Sequence, residues 1–183
     1  MKLTATMMVT LDGVYQGPGG PDEDRRGGFE RGGWTAAYGD EKMWPFLTSW
    51  FERADALLLG RRTWEIWEPY WPLHDSGDSV SHGINVLPKY VPSTTLKNPT
   101  WQNTHVIDGD VEAAVRALKA KSGRELQVHG TASCSAGCSS ATSSTSSTCG
   151  STRSSLATGS GSSRSAARRT TWSWSSRGRC HPA

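Results

Sequence analysis

The feature that most restricts how this chain can fold is an abrupt change in composition after Gly130. Of the 53 residues that follow, 18 are serine and one is leucine, and none is valine, isoleucine, methionine, phenylalanine or tyrosine. Such a segment cannot bury enough apolar surface to offset the conformational entropy lost on folding. We therefore predict a folded domain in residues 1–130 and a disordered, Ser/Thr-rich tail in residues 131–183.

The charge of the chain divides at the same point. Residues 1–130 contain 14 Lys and Arg against 17 Asp and Glu, whereas the tail contains six arginines and no acidic residue. The net charge of +3 therefore comes from the tail, and it does not indicate a nucleic-acid-binding domain. No stretch has the roughly 20 apolar residues of a membrane helix, and the first residues lack the apolar core of a signal peptide, so we expect a cytoplasmic protein without a membrane partner.

All four cysteines lie in the tail, at Cys134, Cys138, Cys149 and Cys180. Four cysteines can form a disulfide framework or a zinc site. Neither fits well, because the spacing lacks paired C-x2-C knuckles and the only nearby histidine, His181, is adjacent to Cys180. We predict no metal site.

Hydrophobic periodicity in the first 130 residues predicts alternating strands and helices. The short apolar run at 55–59 is typical of a buried central strand, and Asp110 is placed to cap the helix that follows it. The predicted strands are 2–10, 55–59, 89–93, 104–107 and 125–129; the predicted helices are 40–54, 64–67 and 110–121; and residues 16–33 are predicted to form a long loop. This alternation indicates an α/β protein with a largely parallel sheet, in which ligands bind beyond the carboxyl ends of the strands.

The sharpest local motif is Gly60-Arg61-Arg62-Thr63, directly after the buried strand. A glycine at a strand end allows a tight turn, and the helix start that follows offers free N–H groups to a phosphate. The arginines add permanently charged bidentate donors, and Thr63 can contribute its hydroxyl. Four residues are a short motif, so an ordinary strand-to-helix turn with two solvated arginines remains the alternative.

Several segments, in the same order along the chain, resemble dihydrofolate reductases and their bacterial relatives that share the reductase domain of riboflavin biosynthesis. The run ALLLGRRTWE at 56–65 resembles the strand–G-R-x-T-W/Y-E–helix segment of that family. The other matching segments are VTLDG at 9–13, GPGGPDED at 17–24, LPKYV at 87–91 with Ser93, WQNTHVIDGD at 101–110, and VHG at 128–130. Together they cover nearly all of residues 1–130.

The resemblance implies a dihydrofolate-reductase-like three-layer fold, with a largely parallel mixed sheet that is incomplete after residue 130, and it implies NADPH as cofactor. Arg61, Arg62 and Thr63, after the turn at Gly60, would hold the phosphates of NADPH, and Ser93 would lie near the 2′-phosphate. The loop from Leu11, Asp12 and Gly13 through Gly17 would cover the nicotinamide, and Gly130 would begin the turn that approaches the pyrophosphate.

This sequence departs from the family pattern in two places. Pro92 and Thr94 replace the usual Val and Arg, which removes one candidate phosphate ligand. No residue matches the acid that grips the pterin in dihydrofolate reductases, although Asp40 or Glu41 lies in roughly the right region. The catalytic residue therefore stays unassigned, and dihydrofolate is not the expected substrate.

The activity that the resemblance implies is NADPH-dependent reduction of a small heterocyclic substrate. The 5-amino-6-(5-phosphoribosylamino)uracil reductase step of riboflavin biosynthesis is the nearest named chemistry, and the resemblance allows a homodimer. Two alternatives stay open, a non-catalytic NADP(H)-binding module and a partial fold with a disordered interaction tail. The seven tryptophans before Gly130 could line a pocket or pack beneath the loops, and His129, at a strand end, is more typical of a structural than of a catalytic residue.

Two explanations of the tail remain open. A natural Ser/Thr-rich linker has this composition, but here it begins where the resemblance requires more core elements. The other explanation is a frameshift, in which a base lost after the Gly130 codon moves the second base of each original codon into the first position. Back-translated on that assumption from a GC-rich gene, the tail becomes an apolar helix, an apolar strand and the G-D-G-x-R-L-F motif of the same relatives. We therefore interpret the tail as out of frame, and expect an unpaired sheet edge and impaired activity.

Overall fold

The computed structural model describes residues 1–130 with their side chains, and the backbone of residues 146–151, 172–174 and 180–182. The strands are β1 Lys2–Val9, β2 Ala54–Leu59, β3 Lys89–Pro92, β4 Thr104–Ile107, β5 Glu125–His129, β6 Ser146–Ser151, β7 Trp172–Trp174 and β8 Cys180–Pro182. The helices are α1 Met43–Arg53, α2 Arg61–Trp67, α3 Ser79–Val86 and α4 Val111–Ala120, with short 3-10 turns at Arg26–Gly28, Trp34–Tyr38 and Trp71–Leu73.

Six strands form one sheet in the order β4-β3-β2-β5-β1-β6. Every described pairing in this sheet is parallel. Strand β5, the last strand of residues 1–130, lies between β1 and β2, with Val128 opposite Ala5 on one side and Leu58 on the other. The carboxyl ends of the first, second and fifth strands therefore meet at one edge, which is where ligands bind in such sheets.

Two apolar clusters cover the two faces of the sheet and produce three layers. On one face, Trp50 of α1 and Ile84 of α3 pack with Leu57 and Leu59 of β2. On the other face, residues of α4 pack with Leu58 and its neighbours on the central strands. Alternate residues of β2 thus point into opposite clusters, because successive side chains of a strand lie on opposite faces. The predicted α/β class and three-layer fold are confirmed.

Helices α1 and α4 lie within their predicted ranges, α2 begins at Arg61, three residues before the predicted helix at 64–67, and α3 was not predicted. Helix α1 begins at Met43, so Pro45 lies in its first turn, where a missing N–H removes no helical hydrogen bond. Helix α3 begins after Asp78, whose carboxylate accepts hydrogen bonds from Val80 N at 2.8 Å and Ser81 N at 3.0 Å. The pKa of Asp78 is lowered, most of all by a hydrogen bond from the hydroxyl of Ser76 and also by these two backbone bonds.

A fully buried lysine joins the end of α3 to β3. The Nζ of Lys89 donates to the carbonyl oxygens of Ile84, Asn85 and Leu87 at 2.8–2.9 Å, and it lies 4.5 Å from the ring centre of Trp101. Burial lowers the pKa of Lys89 to about 8. Three carbonyl groups that the helix end leaves without partners are thereby satisfied.

Three strands occur within the tail, where the sequence predicts none. Strand β6 pairs with β1 from Thr4 opposite Ser146 to Val9 opposite Ser151, so β6, and not β1, is the last strand of the described sheet on this side. Strands β7 and β8 form a separate antiparallel pair. The remainder of the predicted disordered tail, with Cys134 and Cys138, lies outside the described residues. Within the described part of the chain, no helix is both long and apolar enough to cross a membrane.

Candidate functional site

A cleft of about 1000 Å³ opens at the carboxyl ends of β1, β2 and β5. Met8 of β1, Thr63 after β2 and Gly130 after β5 bring these three ends into its wall. The loop after β1 and the helix α1 complete the wall, so the cleft is formed by elements far apart in sequence. Among the predicted site residues, the cleft brings together Gly17, Arg62, Thr63 and Gly130.

Gly130 lies directly against Thr63. Its φ is +93°, a conformation that side chains other than glycine rarely adopt, and a Cβ on residue 130 would stand 2.8 Å from Cγ2 of Thr63. Thr63 is itself buried in the first turn of α2. Only glycine fits at this contact, so residue 130 lines the cleft without a side chain.

The two arginines of the motif have different surroundings. Arg62 is exposed and lines the cleft. Arg61 lies outside the cleft lining, where its Nε donates to Glu65 at 2.9 Å and its guanidinium lies 5.5 Å from the ring centre of Trp64. The Nη1 of Arg61 is buried and has no hydrogen-bond partner within residues 1–130.

The loop after β1 folds back on itself through a close approach of glycines. Gly17 accepts a hydrogen bond from Gly33 N at 2.8 Å, and the indole of Trp34 donates to Gln16 O at 2.9 Å. A Cβ on Gly32 would stand 2.6 Å from the carbonyl oxygen of Gly20, so only glycine fits at this crossing. The crossing fixes the loop as one wall of the cleft.

The same wall carries both signs of charge. Asp24 and Arg26 form an ion pair, and the Arg26 guanidinium lowers the pKa of Asp24 to about 2. Both residues line the cleft, as do Asp22 and Glu23. The carboxylate of Asp24 is therefore ionised and paired at neutral pH.

Besides Arg61, five predicted cofactor residues do not line the cleft. Leu11, Asp12 and Gly13 form the exposed turn after β1, in which Gly13 N donates to Thr10 O at 3.0 Å. Ser93 is occupied by a local turn, because its Oγ accepts from Thr95 N and Leu96 N. Gly60 forms the junction of β2 and α2 behind the cleft wall. Their roles toward NADPH stay predictions.

Neither acidic residue in the region suggested by the sequence lies in the cleft lining. Asp40 and Glu41 are exposed, and neither lines the cleft. The carboxylate of Asp40 instead accepts a hydrogen bond from Met43 N at 3.0 Å, at the start of α1. This contact is typical of a helix cap.

Aromatic side chains line much of the cleft. Four of the seven tryptophans line it, namely Trp44, Trp50, Trp67 and Trp71. Trp64 and Trp101 are buried in the apolar core instead, so both interpretations of the tryptophans hold for part of the set. The Nε1 of Trp50 is buried and has no hydrogen-bond partner among residues 1–130. Flat rings and one unsatisfied donor suit a planar heterocycle.

A row of polar side chains lies on the cleft side of β1 and β5. We call it the polar row; it consists of Thr4, Thr6, Glu125, Gln127 and His129. Its inner end, Thr6 and His129, lines the cleft. The ring of His129 is 5% exposed and stacks on Phe51 at 5.4 Å, and burial lowers its pKa to about 4. His129 is therefore neutral at pH 7.

Thr6 was not predicted as a site residue from the sequence, and His129 was interpreted as structural. The available signal was polarity at alternate positions of two strands, Thr4 and Thr6 on β1, and Glu125, Gln127 and His129 on β5. Alternation places each set on one face, but only the pairing of β1 with β5 brings the two sets together. Among the described residues, no group of three or more His, Cys, Asp or Glu could hold a metal ion.

Comparisons with known proteins agree with the architecture. The family model described as the RibD C-terminal domain matches residues 1–141. A Shewanella sp. PV-4 protein provisionally assigned to riboflavin biosynthesis is similar at 20% identity with a TM-score of 0.48, over 71% of this chain and 65% of that one. Schistosoma mansoni dihydrofolate reductase is similar at 18% identity with a TM-score of 0.40, over 71% of this chain and 62% of that one. This chain thus spans less than two thirds of either structure, and no curated protein matches it.

Proposed function

Because this chain belongs to the RibD C-terminal domain family, we propose that it is by descent an NADPH-dependent reductase of a small heterocyclic compound, with impaired activity in the chain as written. The comparable chemistry is the reduction of 5-amino-6-(5-phosphoribosylamino)uracil in riboflavin biosynthesis. The observation that carries the proposal is the cleft at the carboxyl ends of β1, β2 and β5, where Arg62, Thr63 and Gly130 meet an aromatic wall. We place this activity in the cytoplasm, in a protein that acts alone or as a homodimer.

The residues of the cleft fit NADPH by their chemistry. Gly130 lies in the cleft wall without a side chain, and a Cβ there would collide with Thr63, so the turn after β5 keeps a glycine where the pyrophosphate would approach the backbone. Arg62 offers a permanent charge inside the cleft, and Arg61 precedes it in the chain. When bound, the nicotinamide supplies a hydride, and the protein binds and orients the two partners.

The aromatic wall supplies the site for the second reactant. Trp50, Trp67 and Trp71 present flat apolar surfaces, and the polar row presents hydroxyl and imidazole groups at the cleft floor. Such a pocket excludes water from a planar ring and orients it through few polar contacts. A planar heterocycle suits this arrangement.

For the tail we propose that residues 131–183 are read out of frame, and that the chain as written is impaired. The family match ends at residue 141, eleven residues past the composition change. Resequencing the gene across the codons for Gly130 and Thr131 tests this. A restored base that yields the apolar helix and strand supports the proposal, and an intact frame in every read contradicts it.

The activity is tested by incubating the purified full chain with NADPH and a panel of amino-substituted pyrimidines and pterins. Consumption of NADPH that depends on the heterocycle supports a reductase. A parallel panel with Gly130→Ala separates catalysis in this cleft from a contaminant. Binding of NADPH without consumption would instead favour the non-catalytic NADP(H)-binding module, and absence of NADPH binding would contradict both.

A further inference from the structure

The polar row is a chain of hydrogen bonds whose direction is fixed at its outer end. The carboxylate of Glu125 can only accept, and it takes hydrogen bonds from Arg53 Nε at 3.3 Å and from Gln127 Nε2 at 2.7 Å. The same Gln127 nitrogen also donates to the carbonyl oxygen of Trp50 at 2.8 Å. Both neighbours are acceptors, so the amide of Gln127 has only one orientation, and its Oε1 is left to accept.

This orientation sets the tautomer of His129. The Nε2 of His129 lies 3.1 Å from Gln127 Oε1, so Nε2 carries the ring hydrogen. The ring is enclosed by the rings of Phe51, Trp50 and Trp67, at 5.4, 6.4 and 5.6 Å between centres, and no carboxylate contacts it. The nearest ionised group on its own strand, Glu125, is separated from it by Gln127. The ring stays neutral, and Nδ1 keeps a lone pair.

The hydroxyl of Thr6 is fixed in turn. Its Oγ1 lies 3.3 Å from the carbonyl oxygen of Val128, and 3.0 and 3.4 Å from Nδ1 and Nε2 of His129. The carbonyl oxygen and Nδ1 are acceptors, so the single hydroxyl hydrogen is used inside the protein whichever of them receives it. The oxygen that remains has only lone pairs to offer. Thr6 is 4% exposed and lines the cleft, so a ligand there meets a hydrogen-bond acceptor and not a donor.

We propose that Thr6 is a specificity-determining residue of the cleft, which accepts a hydrogen bond from an N–H or O–H on the edge of the bound heterocycle. The row of hydrogen bonds through Glu125, Gln127 and His129 makes the Thr6 oxygen an acceptor toward the ligand. The inference rests on the proposed function, because it assigns a role to a residue of that same cleft. A ring whose donor is replaced by a methyl group leaves the buried oxygen without its partner, and buried polar groups discriminate strongly against analogues that cannot pair with them.

The test uses 6-aminouracil, in which both ring nitrogens carry hydrogen, and 6-amino-1,3-dimethyluracil, in which methyl groups replace those hydrogens. The 6-amino group is common to both, so the pair tests donation from a ring N–H to Thr6. Binding to the full chain is followed by the fluorescence of the cleft tryptophans, in the wild type, in Thr6→Val and in the matched control Thr6→Ser. We expect the wild type and Thr6→Ser to prefer 6-aminouracil by at least about tenfold, and Thr6→Val to reduce that preference to less than about threefold. Valine has nearly the same shape as threonine. A preference for 6-aminouracil that came only from steric crowding of the ligand's methyl groups would therefore be the same in Thr6→Val as in the wild type.

An unchanged preference in Thr6→Val, or a wild type that binds neither ring, overturns the inference. A separate titration with NADPH keeps this failure distinguishable from failure of the proposed function, which would appear as loss of NADPH binding. A second measurement needs no variant and covers the case in which Thr6→Val does not fold. Nitrogen NMR of the wild type should find Nε2 of His129 protonated and Nδ1 unprotonated, and the reverse assignment overturns the inference.

Discussion

Gly130 and Thr63 touch across the junction between β5 and α2, so closely that a Cβ on residue 130 would stand 2.8 Å from Cγ2 of Thr63. The two residues are 67 positions apart, and the pairing of β5 with β2 brings them together. Both were predicted from sequence to approach the cofactor phosphates. Their contact explains why residue 130 is glycine, because any larger residue would collide with Thr63.

Gly130→Ala is expected to lower the affinity for NADPH at least about tenfold and the free energy of unfolding by about 1–3 kcal/mol. The added methyl group collides with Thr63 and forces a left-handed backbone on alanine. Isothermal titration and denaturant unfolding measure the two effects. Gly109→Ala is the matched control, since a Cβ at Gly109 meets nothing within 4 Å; equal effects at the two positions would contradict the role of Gly130.

Arg62→Gln is expected to weaken NADPH binding about tenfold, with the larger loss at low ionic strength, because a charge that faces the cleft is removed. Titrations at two salt concentrations measure this. Arg116→Gln is the control, since Arg116 pairs with Glu112 on α4, away from the cleft lining. A loss of affinity for Arg62→Gln that does not depend on salt would argue against a direct charge contact.

His129 is expected to make the protein less stable as the pH falls from 6.5 toward 4. The pKa of its ring is lowered to about 4 in the folded protein, against 6.5 for an ordinary histidine. Between these values the unfolded chain takes up a proton that the folded chain does not, so the loss is on the order of 3 kcal/mol. Above pH 6.5 the contribution is complete.

Denaturant unfolding across this pH range measures the effect, and His129→Gln should flatten the slope. His74→Gln, at an exposed histidine, should retain the slope because His129 is still present. If the free energy of unfolding of His129→Gln falls with pH as steeply as that of the wild type, groups other than His129 cause the pH dependence.

Lys89→Met is expected to lower the free energy of unfolding by about 3 kcal/mol or more, because three carbonyl oxygens at the end of α3 lose their donor in a buried site. Methionine keeps most of the apolar stem. Thermal or denaturant unfolding measures the change, with Lys97→Met at an exposed position as control. A loss as small as that of Lys97→Met would mean that water replaces the ammonium.

The sequence predicted the elements with strong periodicity. The strands at 104–107 and 125–129 have the predicted bounds, and the family resemblance carried by the motifs is confirmed by the match over residues 1–141. Helix α3 escaped prediction because its eight residues include Gly83 and have no long apolar stripe. Its start depends on the cap at Asp78, a single-residue signal that a scan for periodicity does not detect.

The candidate site was predictable where a motif lies in one segment and not where two segments meet. Gly130 and Thr63 were found through separate motifs, but the contact between them needs the strand order. Thr6 was missed because its proposed role depends on a contact with His129, which lies 123 residues away on the neighbouring strand. Ser93 lies in a motif as well, yet its hydroxyl is occupied by its own turn.

The most direct test of the central claim is a titration of the full chain with NADPH, followed by tryptophan fluorescence and repeated with Gly130→Ala. Trp50, Trp67 and Trp71 line the cleft, so a ligand held there should change their emission. We expect saturable binding of NADPH that Gly130→Ala weakens at least about tenfold. A folded chain that shows no saturable binding, or that binds equally well with alanine at position 130, would contradict the assignment of this cleft as the cofactor site of a reductase.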